Sequence, residues 1–143
     1  MHRTAALLVA TIVATTTLAA CGGDSEYCAA VKKDESTLNT FGKKRTDAAF
    51  AKYRRTTRTL ATLAPEGAKK DWTALTTALN GVVDAQKAVG LKLEDISASS
   101  VAKLPVEQSE SLSDAYTAFN KAVARHGKRV EANVKSECGV ELQ

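Results

Sequence analysis

Residues 106–137 read VEQSESLSDAYTAFNKAVARHGKRVEANVKSE. Leu112, Tyr116, Phe119, Val123, His126, Val130 and Val134 recur in this stretch at steps of three and four. That spacing lines one face of a helix, and polar side chains fill the other faces. A helix this long with a single apolar stripe buries it only against other helices. Gly139 follows as a terminator.

Working outward, three further segments repeat the pattern. Tyr27, Val31, Leu38 and Phe41 mark a helix from about Ser25 to Thr40, ended by Gly42. A second helix runs from Thr46, an N-cap with Asp47 in its first turn, to Ala64; its inner face is Ala49, Phe50, Tyr53, Thr57, Leu60 and Leu63. Pro65 opens a third, which carries Ala68, Trp72, Leu75, Leu79, Val82, Val83 and Val89 up to Gly90. Between Leu91 and Pro105 the spacing fails. This reads as an irregular loop over the bundle end, with a short helix started by Ser97 or Ser99. The expected fold is all-α: an antiparallel up-down four-helix bundle formed by residues 25–143 as one domain.

The amino terminus has a different character. Met1, His2 and Arg3 precede seventeen uncharged residues, Thr4 to Ala20, ending in Leu18-Ala19-Ala20-Cys21. The stretch is short for a bilayer span and Thr-rich, which suits a cleaved export signal over residues 1–20. The region resembles a bacterial lipoprotein signal peptide. That resemblance implies that Cys21 receives a diacylglyceryl group, that the chain is cut before it, and that in many bacteria its new amino group is acylated too. An ordinary secretory signal is the alternative. Two or three acyl chains, at about 0.8 kcal/mol per buried CH₂, anchor a protein stably. Residues 21–24 would then be a short lipidated tether, and the expected location is the extracytoplasmic face of the cell membrane. That compartment removes cytosolic nucleotide chemistry from consideration.

Of three cysteines, Cys28 and Cys138 remain once Cys21 is set apart. In an oxidising compartment they are expected to form one disulfide that joins the two ends of the domain. Redox and metal roles lack support, because there is no Cys-x-x-Cys and His126 is the only histidine beyond the leader. The expected cofactor set is therefore empty apart from lipid, with no metal site.

The net charge of the whole chain is +4. Residues 43–70 hold nine basic and two acidic side chains. Lys44, Arg45, Lys52, Arg54, Arg55 and Arg58 form a basic surface that could contact anionic headgroups, wall polymers or an acidic partner. The plainer reading is a solvated face, balanced in part by Glu94, Asp95, Glu107, Glu110 and Asp114. Nucleic-acid binding lacks interleaved aromatics. His126, in phase with the apolar stripe, reads as a partly buried core residue with no nameable carboxylate partner. Catalysis has no motif to support it: no nucleophile elbow and no glycine-rich phosphate loop.

The Tyr27-Cys28-Ala29-Ala30-Val31 start and the Glu137-Cys138-Gly139-Val140-Glu141-Leu142 ending, with the lipobox, resemble small helical lipoproteins of unknown function common in actinobacteria. The resemblance implies anchor and fold and carries no activity. The leading functional expectation is a non-enzymatic module that contacts another envelope protein. The alternative is a carrier or sensor holding a small apolar ligand between the helices. A cavity lined by Trp72 and the tyrosines would favour the carrier; an exposed apolar patch over residues 90–106 would favour the partner.

Overall fold

The computed structural model describes residues 25–143. The leader at 1–20, Cys21 and the tether at 21–24 lie outside them. The described chain is all-helical, with helices α1 (Glu26–Asn39), α2 (Asp47–Leu63), α3 (Glu66–Val89), α4 (Ala98–Val101) and α5 (Val106–Cys138). A 3₁₀ turn at Leu93–Asp95 precedes α4.

Local chemistry sets the boundaries. Ser25 caps α1 by accepting Cys28 N–H, and Thr46 caps α2 by accepting Ala49 N–H. Gly90 and Gly139 end α3 and α5 in the left-handed region, at φ 69° and 66°, where a side chain would be strained. Helix α1 stops earlier than its pattern suggests. Thr40 Oγ1 turns back to donate to Ser36 O (2.6 Å), and Gly42 then takes the turn at φ 82° instead of ending the helix directly. Ser97, not Ser99, starts α4 through a capping box with Ser100. Within the irregular segment, Asp47 Oδ1 accepts Leu93 N–H (2.7 Å) while Asp47 N–H donates to Glu94 Oε2 (2.7 Å). This exchange holds the 3₁₀ turn against the first turn of α2.

Helix α3 packs on both α2 and α5, α1 packs chiefly on α2, and the contact of α1 with α5 is slight. Two apolar clusters result. Tyr27, Val31, Leu60, Trp72, Val130 and Val134 form one beside the cysteines. Phe50, Leu79, Val82, Leu93 and Phe119 form the other. The expected stripe of α5 holds except at Val123, which is 39% exposed. A true helix advances 3.6 residues per turn, so half-buried Ala122 takes the inward place between Phe119 and His126.

Cys28 and Cys138 are disulfide-bonded, with Cα atoms 5.0 Å apart across a sequence separation of 110. Beside the bridge, Trp72 Nε1 donates to Tyr27 OH (2.9 Å), whose hydroxyl donates to Asn133 Oδ1 (3.0 Å). Beyond Gly139 the chain turns back along α1. Val140 is buried in the first cluster, Leu142 packs against it, and Gln143 N–H donates to Asn39 Oδ1 (2.9 Å). Both clusters and the bridge are built by residues of 25–143.

Candidate functional site

Unequal helix lengths create the main cavity. At 1.5 Å per residue, α5 is about 50 Å long and α1 about 21 Å. Where α1 gives out, no helix covers the α2–α5 side, and aromatic side chains gather there instead. Phe41 stacks on Tyr53 with ring centroids 3.6 Å apart; it meets Phe119 edge-on at 5.7 Å, and Phe119 meets Phe50 at 6.3 Å. These four rings with Tyr116 and Thr37 line a cavity of about 680 Å³ that is open to solvent and is also lined by Lys44, Arg45 and Lys52. A volume of this order suits a small organic molecule.

The polar atoms of the wall are poorly served. Thr37 Oγ1 and Tyr116 OH are buried without a hydrogen-bond partner. Leaving such a group unpaired costs about 1–3 kcal/mol. Burial pushes the Tyr53 hydroxyl up to about 12 and raises that of Tyr116, which also feels Arg45 pulling down and Asp47 pushing up. Both phenols therefore keep their protons at neutral pH and remain donors.

The predicted basic surface is divided by this geometry. Lys44, Arg45 and Lys52 border the cavity and are exposed. Arg54 borders a smaller cavity of about 370 Å³ on the other side of Phe50, with Gln86, Lys87 and Lys92; Arg54 Nε and Gln86 Nε2 are also buried without partners. Arg55 and Arg58 are exposed and border neither. Among the described residues, no ion pair joins Lys43, Lys44 or Arg45 to Glu94, Asp95, Glu107, Glu110 or Asp114. Glu94, which was expected to balance them, is instead engaged by Asp47 N–H, which lowers its pKa.

His126 does have a carboxylate partner, which sequence reasoning missed. Buried Asp71 on α3 accepts from His126 Nδ1 (2.6 Å) and from Arg129 Nη2 (2.6 Å) and Nε (3.0 Å) on α5. Nδ1 also lies 2.9 Å from Arg129 Nη2. An ionised carboxylate can only accept, so the 2.6 Å contact requires Nδ1 to carry the proton and donate to Asp71. Arg129 first, then His126, holds the Asp71 carboxyl down at about 2 against the opposing effect of burial. No serine, threonine or cysteine side chain hydrogen-bonds to His126 among the described residues. The cluster thus has the orienting half of a nucleophile relay without the nucleophile, and its visible work is to pin α3 to α5.

Trp72 lies in the solid part of the core at 1% exposure and lines none of these cavities, whereas Tyr53, Tyr116 and Phe119 line the aromatic one. Over residues 90–106, Leu93 is buried, Leu91, Ile96, Val101 and Leu104 are half-buried, and only Val106 is a large exposed apolar side chain, at 70%. Among the described residues, no group of three or more potential ligands is placed to hold a metal, and no helix is long and apolar enough to cross a membrane. The chain matches no protein-family model, no curated protein and no solved structure.

Proposed function

We propose that this chain is a non-enzymatic lipoprotein of the cell envelope, anchored through lipidated Cys21, that holds a small ligand in the aromatic cavity. The observation that carries the reading is the cavity itself: about 680 Å³, floored by rings and open at one side. Val106 and Val123 are the only large apolar side chains exposed among the described residues, and they offer a protein partner little to grip. The carrier reading is therefore preferred to the protein-docking one.

An antiparallel up-down order of α1, α2, α3 and α5 completes the reading. Pairing of Cys28 with Cys138 and of Asp71 with His126 supports it, since each joins the early part of α1 or α3 to the later part of α5. The seven residues from Cys21 to Cys28 reach at most about 25 Å, so a lipid on Cys21 keeps the bridged end near the bilayer, with the cavity toward the far end of α1.

Filling the cavity tests the function. Ala49 lines it from the first turn of α2 and is half-buried. Ala49→Trp in the oxidised 25–143 domain should abolish binding of the neutral fluorescent probe Nile red while leaving the melting temperature within a few degrees. Undiminished binding by this variant would move the ligand site elsewhere.

A further inference from the structure

The geometry points to an anionic amphiphile as the occupant: one negatively charged headgroup held by Lys44, Arg45 and Lys52, with an apolar body among Phe41, Phe50 and Phe119. This rests on the carrier reading and adds to it the chemical class of the ligand.

Two observations on different residues converge. The floor is aromatic and has little polar chemistry to offer, since Tyr116 OH and Thr37 Oγ1 are themselves buried. An apolar body gains from such a floor by leaving water. The rim, by contrast, is cationic. Three exposed basic side chains line the cavity, and none forms an ion pair among the described residues. Asp47 and Glu94 stay charged nearby, but neither lines the cavity or pairs with the three cations: Asp47 accepts Leu93 N–H and Glu94 accepts Asp47 N–H. Each is held by a backbone donor within the clamp between α2 and the 3₁₀ turn.

Three unpaired cations on the cavity wall outnumber the two carboxylates of the clamp, a field that favours an anion in the cavity and disfavours a cation. A neutral apolar ligand would use the floor and ignore the rim. A small hydrophilic anion would use the rim and leave the rings uncovered. Only a molecule with both parts uses the whole site. On the lipid-anchored reading the cavity lies toward the far end of α1 from the bridge, which favours a free single-tailed anion, carboxylate or phosphate, over a headgroup still embedded in the bilayer.

The test uses probes matched in tail and different in charge: decanoate, decan-1-ol and decyltrimethylammonium, each displacing Nile red from the 25–143 domain. Exposed charge pairs contribute about 0.5 kcal/mol each, so three should make decanoate roughly tenfold tighter than decanol, with the cation weakest. The triple variant Lys44→Gln, Arg45→Gln, Lys52→Gln should bring decanoate down to decanol and leave decanol unchanged. Raising salt from about 50 to about 500 mM should do the same to the wild type by screening. Equal binding of decanoate and decanol by the wild type, or a triple variant that binds decanoate as before, overturns the headgroup assignment and leaves the cavity reading standing. Failure of Nile red and of every tail to bind overturns both. If the triple variant instead loses only its sedimentation with phosphatidylglycerol vesicles, the rim belongs to bilayer lipid and the proposal is wrong.

Discussion

Asp71 offers the sharpest test of how α3 and α5 are held together. Replacing it with Asn keeps the size of the side chain and removes the charge that Arg129 and His126 share. The carboxyl is lowered from 3.8 to about 2 in the fold, chiefly by its hydrogen bonds from Arg129. At about 1.4 kcal/mol per unit the shift corresponds to about 2 kcal/mol. Arg129 is 55% exposed on its side chain, so water screens part of this and about 1 kcal/mol is the better figure. The sign follows from the direction of the shift. A carboxyl depressed by folding contributes stability that is fully present above its unfolded value near 4 and disappears as pH falls through about 2. Urea unfolding followed by circular dichroism should therefore find Asp71→Asn less stable than wild type by about 1–2 kcal/mol at pH 7. The gap should narrow across pH 4 to 2. A double-mutant cycle with Arg129→Gln should recover most of the difference as coupling. A gap that stays constant from pH 7 to pH 2, or a coupling near zero, would show that Asp71 acts through packing alone and refute the electrostatic account.

Two further outcomes follow from the cysteines. Replacing Cys28 and Cys138 together by Ala should cost up to about 4–5 kcal/mol in unfolding free energy on the chain-entropy view of a loop of this size, read as a fall in urea midpoint; a midpoint unchanged by reduction would contradict it. Changing Cys21 to Ala should leave the chain unprocessed by lipoprotein maturation and without the mass of acyl groups, and continued lipidation of that variant would sink the anchor.

The long stripe of α5 and the spacing of Cys28 and Cys138 were readable because they depend on the chain's own periodicity and on compartment chemistry. The glycine ends of α3 and α5 were readable for a similar reason: a left-handed residue after a periodic run is a local requirement. Asp71 was missed although a signal existed. It stands three residues after Ala68 and four before Leu75, in phase with the buried face, and a charged residue there asks for a partner on the facing helix. Val140 and Leu142 were also legible in principle, because their alternation marks an extended segment with one buried side. The cavity was not legible. Each of its rings sits on an ordinary apolar stripe, and only the mismatch between a short α1 and a long α5 leaves space among them. That mismatch is a property of the packed helices and of no single stretch.

The same mismatch explains why stability and openness fall at opposite ends. Toward the cysteines the chain gathers its disulfide, the Trp72–Tyr27–Asn133 hydrogen bonds and the buried tail residue Val140, all around a Trp at 1% exposure. The other end relies on four rings, the exchange between Asp47 and the 3₁₀ turn, and a wall that leaves Thr37 Oγ1 and Tyr116 OH unpaired. Local opening takes least free energy where buried contacts are fewest and polar groups are unsatisfied. A ligand entering there need not disturb the bridge, the tail or the Asp71 cluster. On the proposed reading, the strongly fastened end would stay beside the bilayer while the loosely fastened end admits and releases its occupant, the arrangement a tethered carrier requires.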